Sequence, residues 1–150
     1  MSDKDYQAVK QYTIMATVCN VILFLLFCAN ANADMDMAVI HHTATKDVSI
    51  DVIRRYHVNT KGWKDVGYHY LIRKNGKVEK GRDLNKRGAH AKGRNDQVGI
   101  ALTGYDTFTL NQVYALEKLL RSLSITSISR HHEACPGKGL DVEQIQKWIQ

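Results

Sequence analysis

The chain has 150 residues, a formal net charge of +6 and only three cysteines. This length accommodates one domain, and the positive charge favours anionic partners such as nucleic acid, anionic membranes or the bacterial envelope. Cys19 and Cys28 lie in an apolar N-terminal stretch, so the rest of the chain keeps only Cys135. A single cysteine excludes an internal disulfide there and leaves that thiol buried, reactive or bound to something.

The N-terminal stretch differs in composition from the rest of the chain. No charged residue occurs from Gln11 to Ala33, and the run from Val21 to Cys28 is continuously apolar. Ala31 and Ala33 fit a small-residue cleavage site, and so short an apolar run suits a secretory signal better than a membrane span of ~20 residues. We predict that residues 1–33 are a signal peptide or, alternatively, an N-terminal membrane anchor, followed by one domain over residues 34–150.

The predicted domain begins with a strand and a helix. Met37 to Ile40 is a short apolar run that predicts a buried strand, which ends at a pair of histidines. Asp47 or Ser49 can cap the helix that follows. The apolar residues of this helix recur at helical spacing: Ile50, Ile53 and Tyr56.

A hairpin and a third buried strand occupy the middle of the chain. Asn75-Gly76 is the strongest two-residue hairpin signal, and it separates two strands predicted over residues 68–73 and 77–80. Residues 98–103 form an apolar run that predicts another buried strand.

The C-terminal part is predicted to contain two helices around one strand. Thr109 caps the first helix, Ile125 to Ser129 alternates like a strand, and the terminal helix begins at Asp141. One face of the first helix is apolar: Leu110, Val113, Leu116, Leu120 and Leu123. Strands interleaved with helices, with one hairpin, predict a single α/β domain with a central mixed β-sheet flanked by helices.

Two histidine pairs and the remaining cysteine are the candidate functional residues. His41-His42 and His131-His132 each follow a predicted strand, and Cys135 comes shortly after the second pair. Two imidazoles and one thiolate suit an open zinc site with water as the fourth ligand. Solvated histidine pairs and a buried cysteine explain the same pattern, and the spacing alone leaves both interpretations open.

Several segments, in the same order as here, resemble the type-2 N-acetylmuramoyl-L-alanine amidases. This family includes short phage lysozymes with amidase activity and the peptidoglycan recognition proteins. The resemblance covers residues 34–150 almost end to end, so it is more specific than any single motif. It rests on Ile40-His41-His42-Thr43-Ala44-Thr45, on Gly62-Trp63 to His69-Tyr70, on Gly81-Arg82-Asp83, on Gly88-Ala89-His90 to Asn95, on Val98-Gly99-Ile100 and on His131-His132-Glu133 with Cys135-Pro136.

The resemblance implies a zinc amidase fold and assigns roles to individual residues. It implies His41, His131 and Cys135 as zinc ligands and Tyr68 as a catalytic residue, whereas His42 and His132 match variable positions. The residues that it places beside the substrate are Trp63, His90, Lys92 and Asn95. His57 and His69 are expected to make structural hydrogen bonds.

The resemblance also implies a substrate and a place of action. We expect hydrolysis of the amide between N-acetylmuramic acid and L-alanine in bacterial peptidoglycan, by a phage or prophage endolysin. The enzyme is expected to be a monomer that does not bind nucleic acid. Its N-terminal segment would engage the membrane or the export machinery. This segment would carry the enzyme to the periplasm or the extracellular space, or hold it at the inner membrane.

One position departs from the phage enzymes. They carry a longer loop before the cysteine, with a lysine two residues before it that stabilises the oxyanion, whereas this chain has Glu133 there. Lys138, or else His90, is the candidate replacement. The alternatives are a peptidoglycan-binding module of the same fold without catalysis, a thiol peptidase that uses Cys135 and, last, a metal-dependent nuclease.

Overall fold

The computed structural model describes residues 35–150, and the predicted signal peptide or anchor lies outside them. Its strands are β1 (Met37–His42), β2 (Tyr70–Ile72), β3 (Val78–Lys80), β4 (Val98–Leu102) and β5 (Ser127–Arg130). They form one sheet in the order β3-β2-β4-β1-β5. Only β2 and β3 pair antiparallel, which confirms the predicted mixed sheet. Within the described residues, no helix is both long and apolar enough to cross a membrane.

Helices cover both faces of the sheet. Helix α1 (Ile50–Arg55) continues as a π-helical turn, and it packs on one face against Leu71, Ala101 and Val66. Helices α2 (Leu110–Ser122) and α3 (Val142–Ile149) pack on the other face. The main core lies between these two helices and the sheet, and its fully buried members include Ile40, Ile72, Ile100, Leu102, Leu116 and Leu120.

Two of the predicted helix caps are confirmed and one needs correction. Thr109 forms a capping box with Gln112, and the Asp141 carboxylate accepts from the Gln144 backbone N–H at 2.8 Å. Ser49 occupies the N-cap of α1 without a capping hydrogen bond from its side chain. The Glu79 carboxylate takes its place, because it accepts from the first backbone N–H of the helix at 2.7 Å. A side chain distant in sequence thus satisfies a helix terminus.

The predicted hairpin is confirmed, but its strands are shorter than expected. Residue Arg73 already belongs to the turn, since its carbonyl accepts from the Gly76 N–H at 2.9 Å. Gly76 has a φ of +86°, which suits glycine at that point of the turn. The last strand begins later than predicted, because the Ile125 N–H still bonds to the carbonyl of Leu120 at the end of α2.

The alternation of side chains along β1 decides which histidine faces the second layer. Ile40 points into the main core, so its neighbour His41 points to the opposite face, on the side of α1. Gly99 and Ala101 on β4 share this face, because they pair with Val39 and His41. Two small residues beside His41 leave room for other side chains above the sheet.

Candidate metal centre

Three potential ligand side chains converge at one edge of the sheet. His41, His131 and Cys135 each offer one ligand atom, and these atoms lie within 4.8 Å of one another. His41 lies at the carboxyl end of β1 and His131 directly follows β5, a parallel neighbour, so the two strand ends meet at the same edge. The structure therefore brings together three residues that are up to 94 positions apart (135 − 41 = 94).

A tight turn makes the short connection between His131 and Cys135 compatible with this cluster. The His132 N–H donates to the carbonyl of Cys135 at 3.2 Å, and the Cys135 N–H donates to the carbonyl of His132 at 3.0 Å. These two hydrogen bonds fold the chain back on itself. The Cys135 sulfur consequently lies beside β1, where it accepts the His42 backbone N–H at 3.4 Å.

The surroundings of the cluster keep its imidazoles neutral. Burial, followed by the neighbouring His90 and His131, lowers the pKa of His41 to about 2. Burial is also the main cause that lowers the pKa of His131. A neutral imidazole has a lone pair for a metal ion, whereas an imidazolium has none on either nitrogen. Burial raises the pKa of the Cys135 thiol, and the His42 N–H partly opposes this effect.

The second histidine of each pair lies outside the cluster. The Nδ1 atom of His42 bonds to the backbone carbonyl of Tyr105 at 2.8 Å, and the His42 ring stacks on the ring of Tyr105. His132 is exposed, with its ring 4.6 Å from that of His131. Both therefore serve as internal controls for any test of the cluster.

Tyr68, which precedes β2, lies over the cluster. Its ring centroid is 5.2 Å from that of His41. Burial and the proximity of Cys135 raise the pKa of Tyr68 to about 12. The hydroxyl therefore keeps its proton at neutral pH and is a hydrogen-bond donor.

The residues predicted to bind substrate line one groove. Trp63, His90, Lys92 and Asn95 border a cavity of about 490 Å³. Lys92 is exposed, whereas Asn95 and His90 already form hydrogen bonds within the protein. The side-chain oxygen of Asn95 accepts the backbone N–H groups of His90 and Ala91 at 2.7 and 2.8 Å, and the His90 ring bonds to His41 and to the carbonyl of Gln97.

A second cavity, of about 630 Å³, lies beside the turn that carries Cys135. Glu133 and Lys138 both line it, together with Tyr105 and Asp106. The structure thus places Lys138 and the acidic Glu133 in one cavity, beside the turn that carries Cys135. His57 and His69 make structural hydrogen bonds as predicted: His57 accepts the Gly67 N–H, and His69 accepts that of Gly99.

Arg94 belongs to the site and was missed by the sequence analysis. Its guanidinium donates to the Ser129 hydroxyl and to the carbonyls of Arg130 and His131, at 2.9, 3.0 and 2.6 Å. It therefore holds the end of β5 from which His131 projects, and its charge contributes to the lowered pKa of His41, His90 and His131. The motif around Gly93 and Asn95 gave no signal for it, since that motif leaves the intervening position open.

Comparison with known proteins identifies the family. Residues 31–138 match the family described as N-acetylmuramoyl-L-alanine amidase. The chain belongs to that family. An endolysin of Klebsiella phage KP32 is 37% identical over 125 residues, which are 73% of this chain and 82% of the endolysin.

Solved amidase structures agree with this assignment. The N-acetylmuramoyl-L-alanine amidase LysC from Clostridium intestinale URNW superimposes with a TM-score of 0.70 at 33% identity, covering 78% of this chain and 86% of that one. Peptidoglycan-recognition protein SC1a of Drosophila melanogaster is 35% identical over 98 residues, 57% of this chain and 53% of that protein. The family match contains the three potential ligands, Tyr68 and Lys138, so this amidase-family enzyme carries its candidate site inside the shared region.

Proposed function

We propose that this chain is a zinc-dependent N-acetylmuramoyl-L-alanine amidase that hydrolyses the bond between N-acetylmuramic acid and L-alanine in bacterial peptidoglycan. The observation that carries the proposal is the convergence of ligand atoms from His41, His131 and Cys135 within 4.8 Å, in a chain of the amidase family. Two imidazoles and one thiolate are a donor set that fits zinc and leaves a fourth position open.

The protein residues have separate tasks in this reaction. Zinc held by His41, His131 and Cys135 would supply Lewis acidity and would lower the pKa of water, so that hydroxide is available as the nucleophile near neutral pH. The Tyr68 hydroxyl, which stays protonated, donates a hydrogen bond to the amide oxygen as negative charge develops there. Water adds to the carbonyl carbon and loses a proton, the C–N bond breaks, and the leaving amine of L-alanine takes up that proton while the carbonyl carbon becomes a carboxyl group.

Lys138 is the residue we assign to the second stabilising donor. It follows Cys135 in the sequence and lines the same cavity as Glu133, which occupies the position where the resemblance leads us to expect a lysine. Loss of one hydrogen-bond donor to the developing oxyanion costs ~10²–10³ in rate in other hydrolases. The Lys92 side chain and the positive net charge favour binding to the anionic wall.

The second candidate is a peptidoglycan-binding module without catalysis. Glu133 favours it, because an acidic side chain beside the reacting carbonyl disfavours negative charge there. The complete cluster of three ligand atoms and the adjacent Tyr68 favour the enzyme. A thiol peptidase is disfavoured, because burial raises the pKa of the Cys135 thiol, and a cysteine nucleophile needs a lowered one.

We further propose that the enzyme acts as an endolysin of a phage or prophage, on the periplasmic side of the inner membrane. The support comes from phage relatives named endolysin, which match 73% of this chain. Transport by the predicted segment 1–33, as a cleaved signal or as a retained anchor, stays a prediction.

Paired histidine variants of the full chain test this proposal. His131→Ala is expected to lose both bound zinc and the release of new L-alanine amino termini from purified peptidoglycan. His132→Ala is its matched control, and it should keep both. Sugar reducing ends are measured in parallel, since a glycosidase would produce them instead. Wild-type protein that pulls down the wall and binds zinc without releasing L-alanine termini would establish the binding module.

A further inference from the structure

His90 contacts His41, one of the potential ligands, and its ring occupies space that the glycines at positions 88 and 99 leave open. A Cβ at Gly99 would come within 2.3 Å of His90 Cδ2, and one at Gly88 within 2.5 Å of the same atom. The Asn95 side chain fixes the backbone at His90 from below, by accepting its N–H at 2.7 Å. His90 is 9% exposed, and its ring has little freedom to turn.

The hydrogen bonds of this ring assign its protons. His90 Nε2 lies 3.1 Å from the carbonyl oxygen of Gln97, and a carbonyl only accepts, so Nε2 carries a proton. His90 Nδ1 lies 3.1 Å from His41 Nε2. In the described part of the chain no ion pair joins either ring to a carboxylate, so neither ring has a negatively charged partner to stabilise an imidazolium.

A neutral His90 with its proton on Nε2 has a lone pair on Nδ1. The facing nitrogen, His41 Nε2, must then carry a proton, because two lone pairs 3.1 Å apart repel each other. This leaves the lone pair of His41 on Nδ1. Ligand histidines are commonly oriented by a hydrogen bond from their other ring nitrogen to an acceptor, and here the acceptor is a second histidine backed by a carbonyl.

We propose that His90 is a positioning residue that holds His41 in the Nε2–H tautomer, so that His41 Nδ1 is the atom offered to zinc. The inference rests on the zinc site proposed above. It gives His90 a role distinct from substrate contact, and it explains why a groove-lining histidine is bonded inward at both ring nitrogens.

Two nearly isosteric variants separate this role from simple packing. In His90→Asn the side-chain oxygen takes the place of Nδ1 and still accepts from His41. His90→Leu has a similar size and shape but no acceptor. We expect the leucine variant to lose ~10–100-fold in zinc affinity, measured by competition with a chromogenic chelator, and the asparagine variant to stay within a few fold of wild type. If His90 served only in packing, His90→Leu would bind zinc as tightly as His90→Asn or more tightly.

The tautomer itself is measured directly on the metal-free full chain. Long-range ¹H–¹⁵N correlation spectra of histidine-labelled protein should show both His41 and His90 with the proton on Nε2. A proton on His41 Nδ1 would overturn the inference, as would equal zinc affinity of the two variants, and the spectrum decides even if the leucine variant fails to fold. Absence of zinc binding in the wild type would instead refute the proposed function.

Discussion

Gly99→Ala is expected to perturb the candidate metal centre without changing a potential ligand, because it crowds the ring of His90. The new Cβ would lie 2.3 Å from His90 Cδ2 and 2.6 Å from its Nε2. Carbon atoms in contact are ~3.5–4.0 Å apart, so the ring must move by about 1 Å or more. A shift of about this size away from the sheet would stretch the 3.1 Å bond between the His90 and His41 rings beyond hydrogen-bonding range.

We expect Gly99→Ala to lower the unfolding free energy of the metal-free protein by ~1–3 kcal/mol, the usual cost of overpacking a closed site. Zinc affinity should fall by ~10-fold or more, because the support of His41 is lost. Urea unfolding and chelator competition measure the two effects. His90→Ala removes the clashing ring, so the double variant should be less destabilised than the sum of the single ones, by ~0.5 kcal/mol or more. Strict additivity, or wild-type stability of Gly99→Ala, would refute the assigned packing.

Three further predictions concern residues outside the cluster. The Arg73 guanidinium holds the pKa of Asp47 below its usual range. The ionised Asp47 therefore stabilises the folded protein above about pH 4, and this contribution disappears as the pH falls through the pKa of Asp47 in the folded state. In Asp47→Asn the unfolding free energy, measured by urea titration, should fall less steeply at acid pH than in the wild type. The difference should be only about 1 kcal/mol, because the carboxylate is partly exposed. Lys138→Ala should reduce turnover by ~10²-fold with zinc content unchanged, and an unaffected rate would remove Lys138 from the mechanism. Gln112→Leu orphans the buried carbonyl of Thr103 and should cost ~1–3 kcal/mol in thermal unfolding, without altering the zinc affinity.

The elements of this fold follow from local patterns that act over a few residues. The Asn75-Gly76 turn and the Thr109 cap were predictable, because each satisfies backbone groups within three or four positions. The cap of α1 was not, since the group that replaces Ser49 is a carboxylate on β3, and no local rule pairs a helix terminus with a distant strand.

The candidate site shows the same difference between local patterns, which a sequence reveals, and contacts between residues far apart in the chain, which it does not. A motif resemblance chose His41 over His42, and the alternation along β1 supplies the physical reason once the core face is known. The contact between His41 and His90 spans 49 positions, and that from Arg94 to His131 spans 37. Contacts of this kind depend on how strands and loops meet in space, which periodicity does not encode. The tight turn from His132 to Cys135 likewise shows how a connection shorter than that of the phage enzymes still brings Cys135 to the cluster.

The most direct test of the central claim is a stepwise zinc titration of the metal-free full chain on purified peptidoglycan. Release of L-alanine amino termini is followed together with bound zinc at each step. We expect release to be absent without metal, to rise in proportion to bound zinc and to saturate at one equivalent per chain. Release that persists in fully metal-free protein, or zinc that binds without restoring any release, would contradict it.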